Sequence, residues 1–177
     1  MAAGLAELIV DVPDYPKPGV GFKDITPLIG APDGLASAIE QLVEAAPEDV
    51  DIVLGVEARG FIFAAPVAYA LGVGFVPVRK PGKLPRDTES VTYDLEYGTD
   101  TVAVHADALW PGARVLIVDD ILATGGTVAA SIELVQRLGG HVAGVLVVAE
   151  LSFLHGRGRL AAAGVTNVQS LIDFEVG

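Results

Sequence analysis

Residues 115–127 read VLIVDDILATGGT, and few local structures accommodate that string. Residues 115–118 are aliphatic and mostly β-branched, the composition of a strand buried on both faces of a parallel sheet. The run ends in two adjacent carboxylates, Asp119 and Asp120. Ala123, Thr124, Gly125, Gly126 and Thr127 then lead into a helical pattern over residues 128–138. The order is strand, loop, helix N-terminus.

Such a layout suits a phosphate attached to a polyhydroxy group. Consecutive glycines let backbone N–H groups turn inward, a helix N-terminus adds unpaired donors and a positive dipole end, and threonine hydroxyls donate further hydrogen bonds. Each carboxylate accepts more than one hydrogen bond, so the acidic pair just ahead of the loop suits a vicinal diol. Together they read as a ribose 5-phosphate site. The aliphatic run before two acids also resembles a Walker B strand, but no GxxxxGK[ST] occurs in the chain, which argues against a P-loop nucleotidase. An ordinary strand-to-helix turn with capping threonines would leave the two carboxylates unexplained. The segment resembles the signature with which type I phosphoribosyltransferases bind phosphoribosyl pyrophosphate (PRPP). In those enzymes the acids hold the ribose hydroxyls and the loop holds the 5-phosphate.

Composition narrows the rest. The chain has 177 residues, 51% of them hydrophobic and 19% charged, which excludes a disordered polymer and makes one domain the default. It has no cysteine, hence no disulfide, thiolate metal site or cysteine nucleophile. A formal charge of −12 argues against nucleic-acid and anionic-membrane partners, whose binding rests on Lys and Arg. Against that background Arg79, Lys80, Lys83 and Arg86 form a local basic cluster, either a solvated loop or a polyanion site. No basic residue precedes Lys17, so the charged start of a signal peptide is missing and cytoplasmic residence is expected. Residues 61–78 carry no charge, yet Pro66, Gly72, Gly74 and Pro77 break them into a helical piece and a strand rather than a membrane span. His105, His141 and His155 have no metal-binding spacing, and no GxSxG elbow occurs.

Taken in order, residues 5–10 read as a short amphipathic helix and residues 15–29 as an extended, proline-braced arm. A helix is expected over 35–46, a strand over 51–56, a helix over 61–71 and a strand over 75–78. The prolines, glycine and charges of 79–89 predict a mobile lid, followed by a hairpin of strands 91–97 and 101–104. Strands over 142–149 and 168–172 complete the pattern. Between them GRGRLA, residues 156–161, matches G-x-G-x-x-A, but it lies too far past its strand to be a dinucleotide fingerprint. Alternating strands and helices indicate an α/β fold, an open and mostly parallel twisted sheet flanked by helices, with ligand above a switch point. We expect a single domain, with a small N-terminal hood over about 13–30 and a flexible lid and hairpin over about 79–104.

Further strings narrow the resemblance. PGVGFKDITP at 18–27, GVEARGF at 55–61, RKPGKLP at 79–85 and DLEYG at 94–98 are similar to adenine phosphoribosyltransferases. The resemblance implies that the hood closes over the purine, read at Gly21, Phe22 and Lys23 partly by backbone groups and by the aromatic ring. Family members often carry valine where this chain has Gly21, and a smaller residue there loosens the packing of the base. The resemblance places Arg59 on the family's pyrophosphate loop, where a guanidinium fork suits phosphate. It also implies that Glu96 helps proton handling at the base or closure over the sugar, and that Arg59, Arg79, Lys80, Lys83 and Mg²⁺, bound mainly through substrate, stabilise departing pyrophosphate. Asp119 and Asp120 would favour the cationic sugar, and the enzyme would be a homodimer. The expected reaction is adenine plus PRPP to AMP plus pyrophosphate. The alternatives are a transferase for guanine, xanthine or orotate, which should lack these strings, and a non-catalytic PRPP sensor, for which the chain offers neither a spare domain nor a basic face.

Overall fold

The computed structural model describes residues 4–15, 17–19, 21–94 and 98–176. Five parallel strands form its centre: β3 (Ile52–Val56), β4 (Gly74–Val78), β7 (Arg114–Leu122), β8 (His141–Leu151) and β9 (Val168–Phe174), in the order β4-β3-β7-β8-β9. Their residues are apolar in near-continuous runs because helices or other segments cover both faces. On one face Leu54, Ile117, Val145 and Val147 meet Val128, Ile132 and Val135 of α4 (Gly126–Arg137) and Leu160 of α5 (Gly156–Ala162). The opposite face buries Val53, Leu116, Val118 and Leu146 against Ala38 and Leu42 of α2 (Pro32–Glu44) and Phe63, Ala64 and Val67 of α3 (Gly60–Leu71).

The strand order reverses between β3 and β7. From β3 the chain steps outward to β4, whereas from β7 it runs the other way through β8 and β9. Loops leaving the C-terminal ends of neighbouring strands at such a point diverge and leave a crevice. Pro66 is accommodated within α3, and the helix ends where Gly72 adopts φ +71°.

Two small antiparallel pairs flank the sheet. β1 (Val10–Val12) pairs with β2 (Phe22–Asp24), and β5 (Thr88–Asp94) pairs with β6 (Thr99–His105). Several expectations need correction here. Residues 5–10 form one 3₁₀ turn, Leu5–Leu8, and then enter β1, since four residues make too short a helix to persist and Val10 and Val12 find a strand partner. The arm of 15–29 is not extended throughout. Its last four residues enter helix α1 (Thr26–Gly30), started by Pro27 in the first turn and by Asp24, whose carboxylate accepts bonds from Thr26 N and Oγ1, both at 2.9 Å. GRGRLA proves to be most of α5.

Candidate active site

Strand β7 runs through the acidic pair instead of ending at it, so Asp119 pairs with Val147 and Leu122 with Glu150 of β8. Both acids therefore stand on the strand rather than on a loop. They are 7% and 6% exposed. Asp119 Oδ1 accepts the Asp120 N–H at 2.8 Å, and Gly60 packs so close that a Cβ there would lie 2.6 Å from the same oxygen. Burial, reinforced by the negative charge of Asp120, raises the Asp119 carboxyl well above its ordinary pKa. Asp120 Oδ2 sits 2.7 Å from Arg59 Nε in an ion pair, although its direction gives no aligned hydrogen bond.

Ala123, Thr124, Gly125, Gly126 and Thr127 form a tight concavity of about 80 Å³ together with Asp119 and Leu122. Gly125 takes φ +77°, a conformation that turns successive amides toward one point at the start of α4. The loop is backed by α5, for a Cβ on Gly156 would lie 2.4 Å from Ala123 O. An ion pair fixes that backing: Arg157 Nε donates to Glu150 at 2.9 and 2.8 Å, and Arg157 Nη1 donates to Val168 O at 2.6 Å.

Arg59 precedes α3, across the switch point from β7, and its guanidinium lies 5.3 Å from the centre of the Phe22 ring. It thus bridges the acidic pair and the hood. Arg79 and Lys80, at the start of the expected lid, are tied to neighbouring elements. Arg79 exchanges backbone bonds with Ala103 and donates Nε to Glu57 Oε2 at 3.1 Å, while Lys80 N donates to the same oxygen at 2.9 Å. These bonds hold the Glu57 carboxyl below the usual range. Lys80 Nζ pairs with Asp100. Lys83, farther along, is exposed.

In the hood, Tyr15 meets Phe22 edge-on at 5.1 Å, and with Val12 and Asp24 they line an open cavity of about 260 Å³. Gly21 is exposed, with no atom within 4 Å of a hypothetical Cβ. Lys23 sends its side chain elsewhere: Nζ pairs with Asp11 and lies 4.1 Å over the Phe174 ring, which leaves only its backbone for a base. Glu96 lies outside the described residues.

Residues 25–176 match the family model described as a phosphoribosyl transferase domain. An adenine phosphoribosyltransferase of Cutibacterium acnes is 59% identical over 170 residues, 96% of each chain. One from Thermobifida fusca is 61% identical over 152 residues, 85% of this chain and 86% of that one. The chain belongs to the adenine phosphoribosyltransferases. The crystal structure of the adenine phosphoribosyltransferase from Thermoanaerobacter pseudethanolicus shares the fold at a TM-score of 0.92 and 51% identity, with 97% of this chain and 100% of that one covered.

For an adenine phosphoribosyltransferase, the sequence strings identify acids, loop and hood but miss what holds them. Gly60 and Gly156 are close-approach glycines with no local signal beyond being glycine. Glu57 and Asp100 emerge as carboxylates that hold lid cations, and Tyr93 as a partner of the loop, its Oη 2.8 Å from Thr127 Oγ1. Among the described residues no group of three His, Cys, Asp or Glu side chains is placed to hold a metal ion.

Proposed function

We propose that the crevice between the β3 and β7 ends carries out the family's reaction, adenine plus PRPP to AMP plus pyrophosphate, a step of purine salvage. The observation that carries the reading is the buried pair Asp119–Asp120 set between a helix-terminal amide loop and Arg59, with Phe22 beyond the arginine. The two carboxylates accept the ribose hydroxyls, and Ala123, Thr124, Gly125, Gly126 and Thr127 hold the 5-phosphate. Displacement at the anomeric carbon forms a C–N bond to the purine as the C–O bond to pyrophosphate breaks. Positive charge developing on the sugar is favoured by the neighbouring carboxylates. Ribose hydroxyl donors restore the ionised form of Asp119, which burial alone disfavours.

Arg59, Arg79, Lys80 and Lys83 neutralise the departing pyrophosphate. The base lies against Phe22 with backbone groups of Gly21 and Lys23 reading its edge, and Glu96 takes part in proton handling there or in closure over the sugar. Mg²⁺ fits the donor set, since two carboxylates with one oxygen lacking an aligned partner suit a hard cation that keeps substrate oxygens as its main ligands. When bound it supplies further charge neutralisation at the pyrophosphate.

We also propose one domain acting in the cytoplasm as a homodimer. No helix among the described residues is long and apolar enough to cross a membrane. Helix α3 contains no charged residue, yet Ile62 and Tyr69 are exposed on its outer side, the latter 88% exposed. A helix apolar on all sides is normally covered, and a second copy is the partner the family resemblance names. Sedimentation of the wild type and of Tyr69→Glu tests this, with a shift from dimer to monomer expected. The activity test is pyrophosphate release with PRPP, Mg²⁺ and each of adenine, guanine, hypoxanthine, xanthine and orotate. Turnover with adenine alone is expected, and turnover with another base would overturn the hood assignment.

A further inference from the structure

Thr127, the last residue of the phosphate loop, does not present a free hydroxyl. Its Oγ1 lies 2.8 Å from Tyr93 Oη, and Tyr93 Oη lies 3.2 Å from Asp100 Oδ2, the oxygen that also pairs with Lys80. The Tyr93 ring rests on the first turn of α4, where a Cβ on Gly126 would come within 3.0 Å of it. One residue on, Asp94 O accepts Arg159 Nη2 at 3.3 Å. The end of β5 is thus fastened to both helices that frame the loop.

We infer that Tyr93 is a positioning residue for the 5-phosphate loop, directing the Thr127 hydroxyl and linking the loop through Asp100 to Lys80 at the start of the lid. This rests on the 5-phosphate reading of residues 123–127. An ionised carboxylate only accepts, and tyrosine and threonine hydroxyls each have one proton to give. Asp100 is drawn toward the carboxylate form: burial opposes it, but Lys80 and the Thr101 N–H at 2.8 Å outweigh burial. With Tyr93 donating to Asp100, its oxygen takes the Thr127 proton. A phosphate dianion, an acceptor, claims that proton instead, and Tyr93 then turns its own proton to Thr127 Oγ1. Asp100 keeps Lys80 and Thr101 N, so no charge is orphaned. When Lys80 leaves for pyrophosphate, Asp100 retains the Thr101 N–H.

The test is titration of the wild type, Tyr93→Phe, Asp100→Asn and the double variant with ribose 5-phosphate, alongside steady-state kinetics. Phenylalanine preserves the ring against Gly126. Tyr93→Phe is expected to weaken ribose 5-phosphate and raise KM for PRPP about fivefold each, with KM for adenine and kcat within about twofold. Asp100→Asn should act in the same direction, and the double variant should be no worse than Tyr93→Phe alone, as groups in one chain of hydrogen bonds behave. Wild-type ribose 5-phosphate affinity in Tyr93→Phe would overturn the inference. So would a double variant whose losses multiply. If Tyr93→Phe fails to fold, an unchanged affinity in Asp100→Asn overturns it equally. Absence of ribose 5-phosphate binding by the wild type would instead remove the loop assignment itself, and the inference with it.

Discussion

The half of the crevice proposed for the sugar phosphate and the half proposed for base and pyrophosphate are built in opposite ways. Asp119 and Asp120 sit on a strand paired to β8, and the loop of 123–127 that follows it rests on α5 without room for one methyl group. Phe22, Arg59, Arg79 and Lys80 stand on arms and turns, held by ion pairs and ring contacts of partly exposed groups. A core-built site is accurate and slow to change, whereas ion-paired arms move at little cost. The difference matches what each half would do. A sugar under attack needs fixed charges, and a base and a leaving group need a way in and out.

Substitutions in each half should behave accordingly. Asp119→Asn with Asp120→Asn should lower turnover by about a thousandfold or more with the circular dichroism of the fold retained, and near wild-type turnover would end the ribose assignment. Arg59→Ala joins the two halves in its effect, with kcat/KM expected to fall about a hundredfold and the melting temperature to drop at neutral pH, because buried Asp120 loses its counterion. Gly156→Ala, outside the crevice, should raise KM for PRPP about tenfold and cost about 1–3 kcal/mol in denaturant titration, because the new methyl displaces Ala123. If stability drops and KM does not, α5 is only a support. Phe22→Leu should raise KM for adenine several-fold, about the worth of an aromatic contact, and leave KM for PRPP unchanged.

The smallest effect concerns pH. The folded Asp119 carboxyl binds its proton more tightly than the unfolded chain, so the stability it contributes is present below the unfolded pKa and lost as pH rises through its raised folded value. Asp119→Asn should therefore melt a few degrees higher than the wild type at neutral pH, with the gap closing toward about pH 4. Melting curves across pH check this. A gap independent of pH would mean that Asp119 carries no such penalty.

How much of this could be read from the chain depends on distance along it. The aliphatic run at 115–118, the adjacent acids and the small residues after them are local, and the hydrophobic periods of α2 and α4 give those helices within a few residues. The extension of β7 past the acids was not legible, because two aspartates resemble a strand end unless β8 is known to continue beside them. Residues 156–161 showed their glycines but not their purpose, since the neighbour of Gly156 is Ala123, set by topology alone. The same holds for Tyr93 with Thr127 and for Lys23, whose side chain finds Phe174 across the molecule.

The ion pairs of the crevice have a consequence for release of product. Arg59 rests on Asp120, Arg79 on Glu57 and Lys80 on Asp100, so each cation already has a resident counterion in a protein of net charge −12. With pyrophosphate as the proposed ligand, the crevice works as an ion exchanger: the polyanion gains these cations only by displacing carboxylates, and the tethered carboxylates reclaim them when it departs. Affinity is thereby traded for turnover, and added salt should weaken the incoming polyanion while competing with the carboxylates for the same cations.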